Sequence, residues 1–447
     1  MASVKKLAVL GAIWTIVGFG ASQILRFGSN LILTRLLVPE FFGLMAIVNV
    51  LRMGIELFSD VGISPSIINN KKGDEPFFRN TAWTIQLIRG MIIWLFALLV
   101  TQPVANFYQD ERLLWLIPIV GFSSVIDGFS STNIYTCQRR LDLARFTVFD
   151  FIVQTLSVAT YILLAWLSPT IWSLALGTLA GALYRTIGSH WLIPEVTNRF
   201  AWNRDAVRDI LSFGKWMFVS SALIFMAEQS DRLILGKLLN FETLGVYTIA
   251  YTLANIPKEI IKKLSYRVIF PAISSQVDLP RSSLRAKIVR QRRLMLMGFA
   301  VGLAALITVG DLIIGTLYDS RYTEATWMMP ILCCGIWFSL LFYTVSPALL
   351  AISKPLYSAQ SNLARFTMIG VVLPLAFSRF GTLGAIITIA FSDLPLYIVN
   401  LYGLWREKLS CIRQDIQITA LFIGVLALFI FIRNYLGFGF PIQAILK

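Results

Sequence analysis

Residues 31–51, LILTRLLVPEFFGLMAIVNVL, align without a gap on residues 233–253, LILGKLLNFETLGVYTIAYTL. Leu31, Ile32, Leu33, Leu36, Leu37, Glu40, Gly43, Ile47 and Leu51 meet identical residues at Leu233, Ile234, Leu235, Leu238, Leu239, Glu242, Gly245, Ile249 and Leu253. The shared Glu and Gly carry the most information, because apolar composition alone would not align them. A second pentapeptide, LARFT, stands at residues 143–147 and again at 363–367. The order of the two matches is the same in both halves, as an internal duplication requires.

Working outward, the chain of 447 residues is 57% hydrophobic and 14% charged, with a mean hydropathy of +0.72. Soluble chains carry about one-quarter charged residues, so the solvent of most of this chain is lipid. Apolar segments of about twenty residues, the length that crosses a roughly 30 Å hydrocarbon core, recur throughout. They are predicted near 9–33, 40–64, 81–101, 113–133, 146–167 and 171–190, then near 211–237, 242–270, 294–317, 327–352, 357–377 and 381–404, with a further run near 416–434. The expected fold is an all-α polytopic bundle of about 12–13 transmembrane helices in two six-helix parallel repeats around a central cavity. The halves are residues 1–200 and 201–410, and residues 411–447 add a C-terminal helix. Both copies of the repeat follow an even number of spans, which gives the halves one orientation.

The formal charge of +15 is distributed along one side of this arrangement. Lys71, Lys72 and Arg79, then Arg139, Arg140 and Arg145, then Arg199, Arg204 and Arg208 fall in alternate connections. The stretch from Lys258 to Arg293 continues the series, with Lys262, Lys263, Arg267, Arg281, Arg285, Lys287, Arg290 and Arg292. The positive-inside rule makes that side cytoplasmic and places the N-terminus there too. The charge therefore has a topological explanation and calls for no nucleic-acid partner. MASVKK and the apolar run after it read as an uncleaved first helix, since the run continues past Gln23 and Arg26. The single histidine, His190, and four cysteines, Cys333 and Cys334 adjacent and Cys137 and Cys411 alone, leave little material for a metal cluster or a disulfide framework. Neither metal nor cofactor is expected.

Polar residues within the spans are costly and usually face a cavity or a partner. Gln23, Arg26 and Asn30 recur at helical spacing in the first span, and Asn49, Arg52, Glu56 and Asp60 form one stripe in the second. Gln86, Arg89, Asp127, Asp150, Gln154 and Lys215 are further candidates, with Glu228, Asp231 and Arg232 near the end of the seventh span. Tyr247, Tyr251, Asn255 and Lys258 share a face of the eighth, and Asp393, Tyr397 and Asn400 one of the twelfth. Arg52 with Glu56, and Glu228 with Arg232, also have the i,i+4 spacing of ion pairs that merely brace a helix. Gly177 with Gly181, and Gly298 with Gly302, are read as close-packing pairs, and Pro257 and Pro347 as bends.

The stretch SDRLILGKLLNFETLGVYTIAYTLANIP from Ser230, the first-half copy of the repeat, and CQRRLDLARF from Cys137 together resemble polysaccharide flippases of the multidrug/oligosaccharidyl-lipid/polysaccharide exporter superfamily. The resemblance implies a flippase, not an enzyme, that moves an undecaprenyl-pyrophosphate-linked oligosaccharide across a bacterial inner membrane during O-antigen or exopolysaccharide assembly, by alternating access. It also implies membrane lipids and a polysaccharide polymerase with its chain-length machinery as partners. A pyrophosphate wants cations in a low-dielectric setting, and sugars want amides and phenols. Arg26, Asn30, Asn49, Arg52, Tyr247, Tyr251, Asn255 and Lys258 are the expected cargo ligands, with Lys262 alongside. Glu56, Asp127, Asp150, Asp231 and Asp393 are the expected carriers of a coupling proton or sodium ion. Two rival readings are a cation-coupled drug or metabolite antiporter of the same superfamily and a membrane polysaccharide polymerase or ligase. The arginines weigh against the first, and the lack of a large external loop against the second. No GxxxxGK[ST] phosphate loop is present, because neither Gly214-Lys215 nor Gly236-Lys237 is followed by Ser or Thr.

Overall fold

The computed structural model describes residues 2–140 and 142–441; the side chains of residues 2–13, 15, 16 and 212–220, Lys215 among them, lie outside the described residues. Lipid offers backbone groups no hydrogen bonds, so a spanning chain must satisfy them within itself. The described chain is accordingly helical, with no strand among the described residues. Its helices are α1 (Ala2–Leu36), α2 (Pro39–Phe58), α3 (Ile63–Asn69), α4 (Pro76–Tyr108), α5 (Leu113–Gly121), α6 (Ser123–Gly128), α7 (Asn133–Arg139), α8 (Leu143–Leu167) and α9 (Ile171–Trp191). They continue as α10 (Arg204–Leu238), α11 (Phe241–Ala254), α12 (Ile256–Leu264), α13 (Phe270–Ser274), α14 (Arg281–Leu317), α15 (Ala325–Ala351), α16 (Leu356–Ala390), α17 (Asp393–Arg406) and α18 (Ile412–Tyr435). A π-helical turn over Ser265–Ile269 joins α12 to α13.

Each predicted span falls on helix, straight or broken. By length and hydropathy alone seven helical segments among the described residues qualify to cross a membrane, or eight when Leu113–Gly128 and Asn133–Arg139, bent by 60°, form one span. That criterion passes over α11 and α12, which are short pieces filling the predicted eighth span, and it counts Leu356–Arg406 once although Gly381 breaks it. Gly381 has φ +59° and ψ −147°, a conformation that L side chains rarely adopt, so glycine ends one run of helix and begins the next. The aligned repeats share their helix boundaries. Leu36 and its partner Leu238 end α1 and α10, while Pro39 and its partner Phe241 open α2 and α11. Pro39 suits a first helical position because its missing N–H would have no intrahelical partner there; at α11 the Asn240 side chain instead caps the N–H of Thr243 at 2.8 Å. The two LARFT copies differ in placement: Leu143 opens α8, whereas Leu363 lies inside α16.

The chain divides into two compact units, Met1–Ala222 and Leu223–Lys447, with the boundary inside α10. In the first, α1 packs along α8, α8 along α9, and α4 against α5 and α6. Gly177 and Gly181 lie against Tyr161 and Ser157 of α8, as the small-residue spacing predicts. Gly298 and Gly302 meet nothing within 4 Å, so that pair is not a packing seam. In the second unit α15 is the central post, buried along most of its length and touching α11, α14, α16 and α17.

The C-terminal helix α18 is built into the second unit by charge as well as by apolar packing. It runs parallel to α14. Arg292 of α14 lies 2.7 Å from Asp415, both nearly fully buried, and Tyr397 of α17 donates to the same carboxylate at 2.7 Å. At the other end Arg433 grips Asp311 through two contacts of 2.6 and 2.5 Å. Arg292 and Lys258, counted above as cytoplasmic-loop cations, are therefore buried helix residues with carboxylate partners. Removing one partner from a buried pair strands the other charge at a cost of about 3–5 kcal/mol. Arg433→Ala is expected to lower the thermal midpoint of the purified protein in detergent sharply, and Arg433→Met combined with Asp311→Leu to recover most of the loss.

Candidate functional site

In the second unit a buried polar cluster gathers residues from α10, α11, α12, α15, α16 and α17. Asp393, the first residue of α17, is 4% exposed. Lys258 Nζ donates to its Oδ2 at 2.7 Å, Arg365 Nε lies 3.0 Å from its Oδ1, and the Ser339 hydroxyl donates to Oδ2. Two cations thus share one carboxylate, and the triad carries one surplus positive charge. Local breaks deliver these groups. The α11–α12 break falls at Asn255, two residues before Pro257, and Lys258 follows it directly in α12. The turn at Phe391 and Ser392 ends α16 and frees Asp393. Gly335 lets α15 close on that turn, since a Cβ there would come within 1.7 Å of the Ala390 carbonyl oxygen. Ser339, one helical turn further along α15, then reaches Asp393.

Beside the triad, Tyr247 Oη donates to Asp231 at 2.6 Å. Arg232 donates to Gln229 at 2.9 Å and lies 5.1 Å from the centre of the Tyr251 ring, within cation–π range. Glu228 pairs with Lys262 at 2.5 Å rather than with Arg232, so the helix-bracing pair expected within α10 does not form. A hollow of about 10 Å³, room for about one water molecule, is lined by Tyr251, Asn255, Lys258, Arg365 and Asp393. Asp231 Oδ1, Asn255 Oδ1 and both polar side-chain atoms of Asn400 are buried with no hydrogen-bond partner among the described residues. Unmet polar capacity of this kind is costly and marks a place able to take hydrogen bonds from elsewhere.

The first unit carries a second cluster. Arg52 Nη1 donates to Glu56 at 2.6 Å, and Ser124 Oγ donates to the same carboxylate oxygen at 3.2 Å. Arg52 and Glu56 therefore do brace one helix, yet their side chains remain 27% and 31% exposed. Arg89 donates to the carbonyls of Glu56 and Ser59 at 2.6 and 2.8 Å, capping the C-terminal end of α2 where carbonyls lack helical partners. Gln86 donates to the carbonyls of Gly128 and Ser130, and so holds the break between α6 and α7. Asp127, beside that break, keeps Oδ1 buried without a hydrogen-bond partner among the described residues. Asp150 lies 3.9 Å from Arg185, a partner on α9. Arg26 and Asn49 are exposed and Asn30 half-buried; α1 packs along α8, whereas α2 packs against α4, α5 and α9.

The structure thus brings Tyr251, Asn255, Lys258 and Asp393 around one hollow, with Tyr247 and Asp231 adjacent, and it joins Arg52 to Glu56. It gives Arg26 no hydrogen bond or ion pair among the described residues. Arg365 and Ser339 are site residues that the sequence reading missed. Arg365 had a signal, because it is the arginine of the second LARFT copy. Ser339 had none, being one of several hydroxyls in a helix without a charged residue. His190 is exposed, with its ring nitrogen 3.0 Å from the Phe129 carbonyl. No group of three or more His, Cys, Asp or Glu able to hold a metal occurs among the described residues.

Residues 32–327 match the family described as "Polysaccharide biosynthesis protein". The chain belongs to that family. Its relatives include the teichuronic acid biosynthesis protein TuaB of Bacillus subtilis (strain 168), 22% identical over 413 residues, 91% of this chain and 83% of TuaB. The lipopolysaccharide biosynthesis protein WzxC of Escherichia coli (strain K12) is 22% identical over 62% of this chain and 56% of its own length. Other curated relatives are likewise matched over little more than half to two thirds of their length. Among solved structures, the lipid II flippase MurJ in an inward closed conformation superposes with a TM-score of 0.70 at 12% identity, covering 94% of this chain and 92% of MurJ. An inward-facing multidrug resistance MATE family transporter of the MOP superfamily gives 0.64 at 15%, covering 88% and 94%. This polysaccharide biosynthesis family member is therefore a multi-span membrane protein with the fold of MOP-superfamily transporters, and the proteins it resembles include a succinoglycan biosynthesis transport protein, a lipid II flippase and a multidrug resistance transporter.

Asp393→Ala would leave Lys258 and Arg365 without the carboxylate they share. The expected loss is about 3–5 kcal/mol, read as a fall in folded yield and thermal midpoint. The double variant Asp393→Asn with Lys258→Met, which removes one cation together with the carboxylate's charge, is expected to be substantially less damaged.

Proposed function

We propose that this protein is a flippase for lipid-linked oligosaccharide, carrying an undecaprenyl-pyrophosphate-linked unit from the cytoplasmic to the periplasmic leaflet of a bacterial inner membrane. The observation that carries this reading is the Lys258–Asp393–Arg365 triad, a buried carboxylate outnumbered by cations, in a member of a polysaccharide biosynthesis family. Low dielectric makes the surplus charge attractive to an anion, and a pyrophosphate offers more negative oxygens than the single carboxylate it would displace. Tyr251 and Asn255 line the same hollow and suit sugar hydroxyls. The hollow holds about one water, so cargo binding requires the surrounding helices to separate, as alternating access does.

On this reading Asp393 is the resident anion that keeps Lys258 and Arg365 buried between cargoes. When a pyrophosphate takes the cations, the released carboxylate becomes free to accept a coupling proton or sodium ion, a role that Asp231 and Asp127 share through their unpaired oxygens. Arg52, partly exposed beside Glu56, is the leading phosphate ligand of the first unit, with Arg26, Asn30 and Asn49 as further contacts. The N-terminus is cytoplasmic on the positive-inside argument, and the polymerase and chain-length machinery are the downstream partners.

The test is a strain lacking this gene but retaining the upstream sugar transferases, in which undecaprenyl-linked oligosaccharide is quantified in each leaflet. Complete units accumulating on the cytoplasmic face, and relieved by re-expression, are expected. Units that reach the outer leaflet but stay unpolymerised would move the role to polymerisation, and an unchanged lipid pool would favour the antiporter. In the same strain Arg52→Ala is expected to abolish export while the variant still inserts and folds. Normal export would remove Arg52 from the site.

A further inference from the structure

A second, larger hollow lies in the second unit, away from the triad. It is a groove of about 580 Å³ along α14 and α18, within the roughly 300–1,000 Å³ of small-molecule sites. Arg285 and Arg293 of α14 line it two helical turns apart, and Arg413 lines it from the start of α18. All three are exposed, and none has an ion pair among the described residues. The carboxylate beneath them, Asp415, is already occupied by Arg292 and Tyr397. Further along both helices the lining turns apolar, through Met297 and Leu421. Since α14 and α18 run in the same direction, their basic ends coincide and their apolar stretches coincide.

One lining group points to more than charge. Gln414 is 6% exposed; its amide nitrogen donates to the Val289 carbonyl at 2.7 Å, while its Oε1 is buried with no hydrogen-bond partner among the described residues. An amide oxygen in that position accepts a hydrogen bond, which a hydroxyl-bearing headgroup can supply and a bare phosphate dianion cannot. The flanks of the groove are exposed and apolar, Leu294 at 79% and Ile416 at 64%, as surfaces turned toward acyl chains are.

We infer that the α14–α18 groove is a binding site for an anionic, hydroxyl-bearing phospholipid of the phosphatidylglycerol type. Its phosphate lies among Arg285, Arg293 and Arg413, its headgroup hydroxyl donates to Gln414, and one acyl chain lies along Met297 and Leu421. The site is separate from the proposed cargo cluster and does not depend on the flippase reading. Its consequence is a resident lipid that fastens α18 to α14 on the membrane-facing side, where the buried pairs fasten it from within.

Native mass spectrometry of the detergent-solubilised full chain, titrated with phosphatidylglycerol, phosphatidylethanolamine or phosphatidylcholine, tests this. One phosphatidylglycerol is expected to be retained in preference to the other two. Interfacial cations are each worth enough that Arg285→Ala with Arg413→Ala should weaken retention about tenfold or more. Lys287→Ala with Arg290→Ala removes equal charge from other faces of α14 and should leave retention unchanged. Gln417→Trp, which fills the groove without removing charge, should also abolish it. For the unmodified protein, a photoreactive phosphatidylglycerol is expected to label residues 285–297 and 411–421, which needs no variant to fold. Labelling elsewhere, equal retention of phosphatidylethanolamine, or equal loss in both double variants would overturn the inference. Displacement by inorganic phosphate would assign the groove to a free anion, and displacement by undecaprenyl pyrophosphate to the cargo; either outcome overturns it as well.

Discussion

A carboxylate shared by two cations in a space with room for about one water is the constraint around which the second unit is arranged. Stripping a charge of water costs several kcal/mol, and in this setting only direct partners repay it. Asp393 therefore has to be met by Lys258, Arg365 and Ser339 together, and those residues come from three separate helices. Their convergence dictates where helices must break and where they must touch. The α11–α12 break, the turn between α16 and α17 and the side-chain-free surface at Gly335 each serve that convergence. A leucine at position 335 would not merely crowd α15; it would carry Ser339 away from Asp393.

The first unit solves a related problem, that of unpaired backbone carbonyls, with side-chain donors. Its fourth predicted span is broken into α5, α6 and α7, which exposes carbonyls that a continuous helix would have used. Gln86 collects those of Gly128 and Ser130, and Arg89 collects those at the end of α2. Non-helical backbone at membrane depth is tolerated where protein groups replace the missing hydrogen bonds, and these two side chains, one turn apart on α4, do so for two different breaks. Gly90, whose Cβ would lie 2.5 Å from the Ser124 carbonyl oxygen, brings α4 close enough for Gln86 to reach.

The helical membrane class and the positions of the spans were legible because hydropathy is additive along the chain and needs no knowledge of neighbours. The repeat was legible as far as its helix boundaries, Leu36 with Leu238 and Pro39 with Phe241. The site was legible only in part. Spacing along one helix correctly grouped Tyr251, Asn255 and Lys258, and it suggested the Arg52–Glu56 pair. It also suggested Glu228 with Arg232, where the real partner, Lys262, lies 34 residues away across a broken span. Periodicity reports which side chains share a face of one helix, and nothing in it ranks a same-helix partner against one from another helix. Arg365 escaped for a second reason: the residues that share its face of α16, Ser358, Ser361 and Asn362, are uncharged, so only its place in LARFT marked it.

The C-terminal helix shows the same limit from the opposite direction. Read by hydropathy, residues 416–434 are a span appended to two six-helix halves, and nothing in an apolar window says whether such a span is attached or loose. Yet Arg292 with Asp415, and Arg433 with Asp311, tie both ends of α18 to α14 through pairs that are almost wholly buried. Ion pairs are poor general glue, since apolar residues of the same volume often stabilise as well. What they impose is register. A Leu-rich seam between two parallel helices can slide by a turn at little cost, whereas two buried pairs, at matching separations along both helices, permit one alignment. That alignment brings Arg285, Arg293 and Arg413 to line one groove together with Met297 and Leu421, basic toward the start of the two helices and apolar further along.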